Sequence, residues 1–130
     1  MRILVVDDEE IVRALTVQVL ERTGYDVLAV ASAKSALELL TAGERVDLVV
    51  SDVVMPELSG VDLLAELREH MPDLPVILMT GGSPEPERTA QALVLGACAI
   101  VYKPYTHAEL RDAVEAALAP QERTRSPFGS

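Results

Sequence analysis

Four short apolar runs punctuate the chain, and each ends on a polar residue of a particular kind. Ile3-Leu4-Val5-Val6 runs into Asp7-Asp8, Leu48-Val49-Val50-Ser51 into Asp52, Val76-Ile77-Leu78-Met79 into Thr80, and Ala99-Ile100-Val101-Tyr102 into Lys103. Short runs rich in β-branched residues and bounded by turn residues predict strands buried on both faces, as in a parallel sheet covered by helices. Ligands of such sheets bind outside the carboxyl ends of the strands. Asp7, Asp8, Asp52, Thr80 and Lys103 are therefore expected to share one cleft.

Between the runs, helical spacing recurs, so strand and helix signals alternate in the manner of an α/β domain. Asp8 or Glu9 starts a helix through about Arg22, with Ile11, Val12, Leu15, Val19 and Leu20 as its apolar face and Thr23-Gly24 as its stop. Tyr25 to Val30 reads as a strand. Ser32 is an N-cap candidate for a helix carrying Ala36, Leu37, Leu39 and Leu40, stopped at Gly43. Val46 to Ser51 is the third strand, and a loop leads to a third helix, Val61 to about Glu69. Gly81-Gly82-Ser83-Pro84-Glu85-Pro86 disfavours a helix, so the fourth is expected from near Pro86 to before Gly96, behind a mobile loop. Thr106 with Glu109 forms a capping box for the fifth, whose buried face is Leu110, Val114, Ala117 and Leu118. Beyond Pro120 no periodicity remains, which predicts one domain over residues 1–119 and a disordered tail over 120–130.

Composition narrows the function. The 130 residues carry a net charge of −10, and the 11 Lys and Arg are scattered, so direct nucleic-acid binding is not expected. With one Phe and no Trp the core must be aliphatic. The single cysteine, Cys98, sits among apolar neighbours and is expected to be a small packed residue; it allows no internal disulfide, which suits a reducing compartment. Neither a membrane span nor a signal peptide is evident, giving a cytoplasmic expectation. His70 and His107 are expected to be exposed and not to ligate metal, no second ligand having been found at helical spacing.

The chemistry follows from the four endings taken together. Singly, Asp8 fits a helix N-cap, Asp52 a solvated loop acid, Thr80 a last strand residue and Lys103 a surface lysine. Together, three carboxylates in one cleft repel one another unless a cation intervenes. Magnesium suits oxygen ligands and commonly binds through carboxylates plus phosphate. A carboxylate can accept a phosphoryl group, a compact ammonium can neutralise its oxygens, and a hydroxyl can follow it. Gly81-Gly82 lacks the lysine of a phosphate-cradling loop and is read as backbone freedom.

These residues resemble a receiver domain of the response regulators of bacterial two-component systems, of the chemotaxis type, over about residues 1 to 119. The resemblance rests on Asp7-Asp8, on Asp52 in Ser51-Asp52-Val53-Val54-Met55-Pro56, on Thr80-Gly81 and on Lys103-Pro104. It implies a doubly wound, flavodoxin-like parallel sheet of strand order 2-1-3-4-5 flanked by five helices, and a cis Lys103-Pro104 bond. It also implies magnesium held by Asp8, Asp52 and the backbone carbonyl of Val54, with Asp7 acting through a water. Asp52 would be the phosphoacceptor, and Thr80 and Lys103 its partners. Two positions depart from the family pattern. Ile100 stands where an aromatic switch residue is usual, and Tyr102, on the same strand face by period two, is the available substitute. Val54 and Gly82 carry no polar side chain at positions that tune phosphoryl loss.

The leading reading is thus a phosphoryl-accepting signalling module rather than an enzyme acting on other molecules. It would take its phosphoryl group from a histidine kinase or phosphotransfer protein and signal to a downstream protein through helix 4, strand 5 and helix 5. A metal-dependent aspartyl-phosphate phosphatase is the alternative, although such enzymes usually carry a second acid where Val54 stands. A nucleotide- or flavin-binding domain fits less well, because Asp-Asp-Glu-Glu in the first loop repels phosphate unless metal intervenes.

Overall fold

The structure, a computed structural model, describes residues 1–81 and 86–119, with the backbone alone over 86–89. The expected tail over 120–130, and the expected mobile loop including Gly82, lie outside the described residues except for the loop's ends. The elements alternate strictly: β1(Arg2–Val6), α1(Glu10–Arg22), β2(Asp26–Val30), α2(Ala33–Thr41), β3(Leu48–Asp52), α3(Gly60–His70), β4(Val76–Thr80), α4(Pro86–Val94), β5(Ala99–Tyr102) and α5(His107–Ala117). All four strand pairings are parallel, in the order β2-β1-β3-β4-β5. This is the doubly wound arrangement expected from the sequence.

Alternation along each strand divides the core into two layers. Leu4, Val6, Val49, Val76, Leu78 and Ile100 point towards α2, α3 and α4. Ile3, Val5, Leu48, Val50, Ile77, Met79 and Val101 point towards α1 and α5. Each fully buried aliphatic side chain contributes about 1.5–3 kcal/mol relative to exposure.

Several expected boundaries and faces shift. β3 begins at Leu48 rather than Val46, because Asp47 belongs to a turn: its N–H donates to the Arg2 carbonyl at 2.8 Å, and its carboxylate accepts from the Arg2 N–H at 2.8 Å. Asp52 is itself the last residue of β3, opposite Met79. On α1 the buried face is Thr16, Val19 and Leu20, whereas Ile11 and Leu15 are exposed. The buried face is centred near Thr16, and Ile11 and Leu15 lie about 140° and about 100° round the helix from it. Cys98 is exposed, in the turn that follows Gly96, with its N–H donating to the Val76 carbonyl at 2.8 Å. His70 and His107 are exposed as expected, yet Glu66 does lie one turn before His70, its carboxylate 3.6 Å from Nε2. Glu66, Glu69 and His70 bring their ligand atoms within 4.8 Å of one another on an exposed surface.

Ser32 caps α2 by accepting from the Ser35 N–H at 3.1 Å, and Thr106 and Glu109 form the capping box of α5. A second capping box, Ser59 with Asp62, starts α3. Its Ser-x-x-Asp signature is legible in the sequence.

Candidate functional site

Asp7, Asp8, Asp52 and Lys103 come together at the strand ends, and Thr80 lies beside Lys103 on the neighbouring strand. Asp7 leaves β1 fully buried, while Asp8 beside it is exposed at the rim. Ligand oxygens of Asp7, Asp8 and Asp52 lie within 4.8 Å of one another. Lys103 reaches across from the end of β5, its Nζ 3.1 Å from Asp52 Oδ2 and 3.6 Å from Asp7 Oδ2. Thr80 stands half-buried at the end of β4, and its carbonyl accepts from the Lys103 N–H at 2.7 Å.

Local hydrogen bonds fix the carboxylates. Asp7 Oδ1 accepts from the Glu9 N–H at 2.9 Å, and the Asp7 carbonyl accepts from Arg13 at 3.0 Å. Asp52 Oδ1 accepts a longer bond, 3.4 Å, from the Val54 N–H. Asp7 Oδ2 is buried without a hydrogen-bond partner, and a buried carboxylate oxygen in that state calls for a cation. Burial is the main cause pushing the Asp7 carboxyl up, aided by the negative charge of Asp52, while the Glu9 N–H and Lys103 oppose it. Burial works to lower Lys103, but the charges of Asp52 and Asp7 outweigh it and hold the ammonium above its usual range. Three acids facing one lysine leave an unbalanced negative charge.

Two glycines leave room for this arrangement. A Cβ at Gly60 would overlap the Asp52 backbone carbonyl, so the start of α3 can pack against the end of β3 only through glycine. A Cβ at Gly81 would lie 3.3 Å from Lys103 Cβ and 3.4 Å from its Cδ, so the lysine stem crosses over a bare backbone. Gly81 thus provides space for Lys103, a more specific role than the backbone freedom read from the sequence. The loop after β3 turns at Glu57, a non-glycine residue with φ +67°, a conformation that costs roughly 1–2 kcal/mol. The Lys103-Pro104 bond is cis, as expected.

A groove of about 820 Å³ extends from Asp52 along α1, lined by Val12, Leu15, Val54, Tyr105 and His107 among others. Ile100 packs against the α2–α3–α4 layer. Tyr102 points out of the sheet and is 55% exposed. Arg13, Gly60, Thr16 and Tyr105 were not singled out from the sequence; a Tyr two residues after Lys103 was the one available signal.

Known proteins fit this geometry. The response regulator receiver domain family matches residues 3–115. The alkaline phosphatase synthesis transcriptional regulatory protein PhoP of Bacillus subtilis is 36% identical over 121 residues, covering 93% of this chain and 50% of PhoP. The DNA-binding transcriptional regulator NtrC of Rhizobium meliloti is 38% identical over 124 residues, covering 95% of this chain and 25% of NtrC. The chain therefore spans half or less of the length of these curated relatives. The crystal structure of a response regulator receiver domain protein from Clostridium thermocellum superposes with a TM-score of 0.87 at 31% identity, covering 95% of this chain and 98% of that one. With the fold, the strand-end cluster and these similarities in agreement, the chain belongs to the response regulator receiver domain family.

Proposed function

We propose that this receiver accepts a phosphoryl group on Asp52 from a histidine kinase or phosphotransfer protein and passes the resulting change to a downstream protein. The single observation that carries the reading is the buried Asp7 Oδ2, which accepts no hydrogen bond and shares the one Lys103 ammonium with Asp52, a constellation short of positive charge. A carboxylate oxygen of Asp52 attacks the phosphorus of phosphohistidine. The P–N bond breaks, its electron pair stays on the imidazole, and an acyl phosphate forms on Asp52. Later attack of water on phosphorus returns the carboxylate and releases phosphate. Lys103 neutralises the new phosphoryl oxygens, and Thr80, one strand over, offers a hydroxyl to them.

The donor set of Asp7, Asp8 and Asp52 fits magnesium; Asp8, Asp52 and the Val54 carbonyl would hold it, and Asp7 would act through a water. When bound, magnesium supplies positive charge opposite the incoming phosphoryl group. The protein catalyses only its own phosphorylation and dephosphorylation. Val54, exposed and apolar, stands where an aspartyl-phosphate phosphatase usually carries its second acid, and its side chain cannot hold an attacking water. On this reading the module would work in the cytoplasm beside its phosphodonor, and the scattered basic residues and net charge of −10 speak against direct nucleic-acid binding. Among the described residues no helix is long and apolar enough to cross a membrane.

Added charge of roughly −1.5 to −2 at Asp52 draws in Thr80 and the loop after it, which biases the surface formed by α4, β5 and α5. Leu93 (57% exposed), Val94 (86%) and Tyr102 (55%) give that surface its apolar contacts for a downstream partner. Ile100 already packs in the core, so the switch works mainly through the loop, with Tyr102 as the available aromatic.

The test is intact-mass measurement after incubation with magnesium and acetyl phosphate. Wild type is expected to gain one acid-stable, base-labile phosphoryl group and Asp52→Asn none, because an amide is a poor nucleophile. Equal mass gain in both would place the acceptor elsewhere. No turnover of a generic phosphate ester is expected.

A further inference from the structure

Tyr105 and Thr16 take no part in the chemistry above, yet they tie α1 to the segment that carries Lys103. Tyr105 Oη lies 2.7 Å from Thr16 Oγ1. Thr16 is fully buried in α1, and Tyr105 packs, half-buried, against the layer between the sheet and α1 and α5. Among the described residues this is the only side-chain hydrogen bond between α1 and the turn from Lys103 to Thr106.

Counting protons fixes its direction. Thr16 Oγ1 donates to the Val12 carbonyl at 2.9 Å, which commits its single proton. The Tyr105 phenol must therefore donate to Thr16. Replacing Tyr105 with Phe then removes one donor and leaves Thr16 bonded to Val12.

Lys103 has a long flexible stem, and its ammonium can be aimed only if the stem's origin is held. At one end the Lys103 N–H is pinned to the Thr80 carbonyl at 2.7 Å. Two residues later the turn is pinned to α1 through Tyr105. We infer that Tyr105 is a positioning residue for phosphoryl acceptance: by donating to Thr16 it holds the turn that aims Lys103 at Asp52. The inference rests on the reading of Asp52 as phosphoacceptor. It concerns the placement of the ammonium opposite a reacting oxygen, where small displacements cost rate.

The experiment measures the single-turnover rate constant at saturating magnesium and acetyl phosphate, together with magnesium affinity and melting temperature. Tyr105→Phe is expected to be about three- to tenfold slower, the size set by loss of one neutral hydrogen bond, with unchanged magnesium affinity. Thr16→Val should be slowed to the same extent, and Tyr105→Phe should slow it no further. Thr16→Ser keeps the acceptor and should phosphorylate at the wild-type rate even though loss of a buried methyl lowers its melting temperature. A purely structural role would give the opposite order, with the rate following stability. Wild-type rates in Tyr105→Phe would overturn the inference, as would additive slowing in the double variant or a parallel loss of magnesium affinity. Failure of the wild type to gain any phosphoryl group would remove the Asp52 reading as well, so the two failures are distinguishable.

Discussion

The Lys103 ammonium donates to Asp52 Oδ2 at 3.1 Å, and both side chains are largely withdrawn from water, 19% and 6% exposed. The same ammonium stands 3.6 Å from Asp7 Oδ2. One cation therefore serves two buried carboxylates, with Asp8 close by at the rim. Such a site is ionised at a cost, and a second cation or a changed charge on Asp52 redistributes the Lys103 contacts. On the proposed reading, a phosphoryl group or a cation would compete for these resting contacts.

That cost leads to a stability prediction for Asp7. Its folded-state carboxyl is raised, chiefly by burial, above its unfolded value near 3.9. A raised acid binds its proton more tightly in the folded state, so metal-free stability falls as pH climbs from the unfolded value through the folded one. Asp7→Asn keeps an oxygen for the Glu9 N–H and removes the charge. Its melting temperature without divalent ions should exceed that of wild type by a few degrees at neutral pH. The gain should vanish as pH falls below about 3.9, where both states protonate Asp7. Thermal melts across pH in chelator check this, and a gain that persists unchanged in acid would contradict it.

Asp8 should behave differently because it is exposed at the rim of the site. Its value lies in completing the oxygen set with Asp7 and Asp52. Calorimetric titration is expected to show weak magnesium binding to wild type and no measurable binding to Asp8→Ala, with little change in metal-free melting temperature. Equal affinity in the two proteins would remove Asp8 from the donor set.

The parts of this site legible in the sequence were those that strand periodicity carries. Asp7, Asp52, Thr80 and Lys103 each follow an apolar run, and a parallel sheet places such ends together whatever their distance along the chain. Helix phase was less legible. Ile11 and Leu15 scored as core by hydrophobicity alone, while the buried position went to Thr16, whose hydroxyl is satisfied by Val12 and Tyr105. A polar residue is acceptable in a core only with partners, and partners distant in sequence leave no periodic trace. The steric roles of Gly60 and Gly81 were hidden for a similar reason. Their roles are the clearances left for the Asp52 carbonyl and the Lys103 stem, which only assembled elements define. Cys98 misled because its apolar neighbours in sequence are not its neighbours in space.

Lys103→Ala separates metal binding from the response to phosphoryl. The carboxylates remain, and removing a competing cation beside them should leave magnesium affinity equal to or greater than that of wild type. Nothing then neutralises the phosphoryl oxygens from the β5 side. Phosphorylation by acetyl phosphate should slow on the order of 100-fold, the usual scale for deleting one group that stabilises developing charge. Beryllofluoride, which stands in for the phosphoryl group on Asp52, should bind poorly and leave the amide resonances of α4, β5 and α5 close to their resting positions. In wild type the same reagent should shift them, with Ile100 methyl signals moving less than the backbone of Gly81. Resonance assignments with and without beryllofluoride decide the matter. A Lys103→Ala protein that loses magnesium binding, or that shows the full wild-type shifts, would mean that the lysine serves the resting carboxylates and not the incoming phosphoryl group.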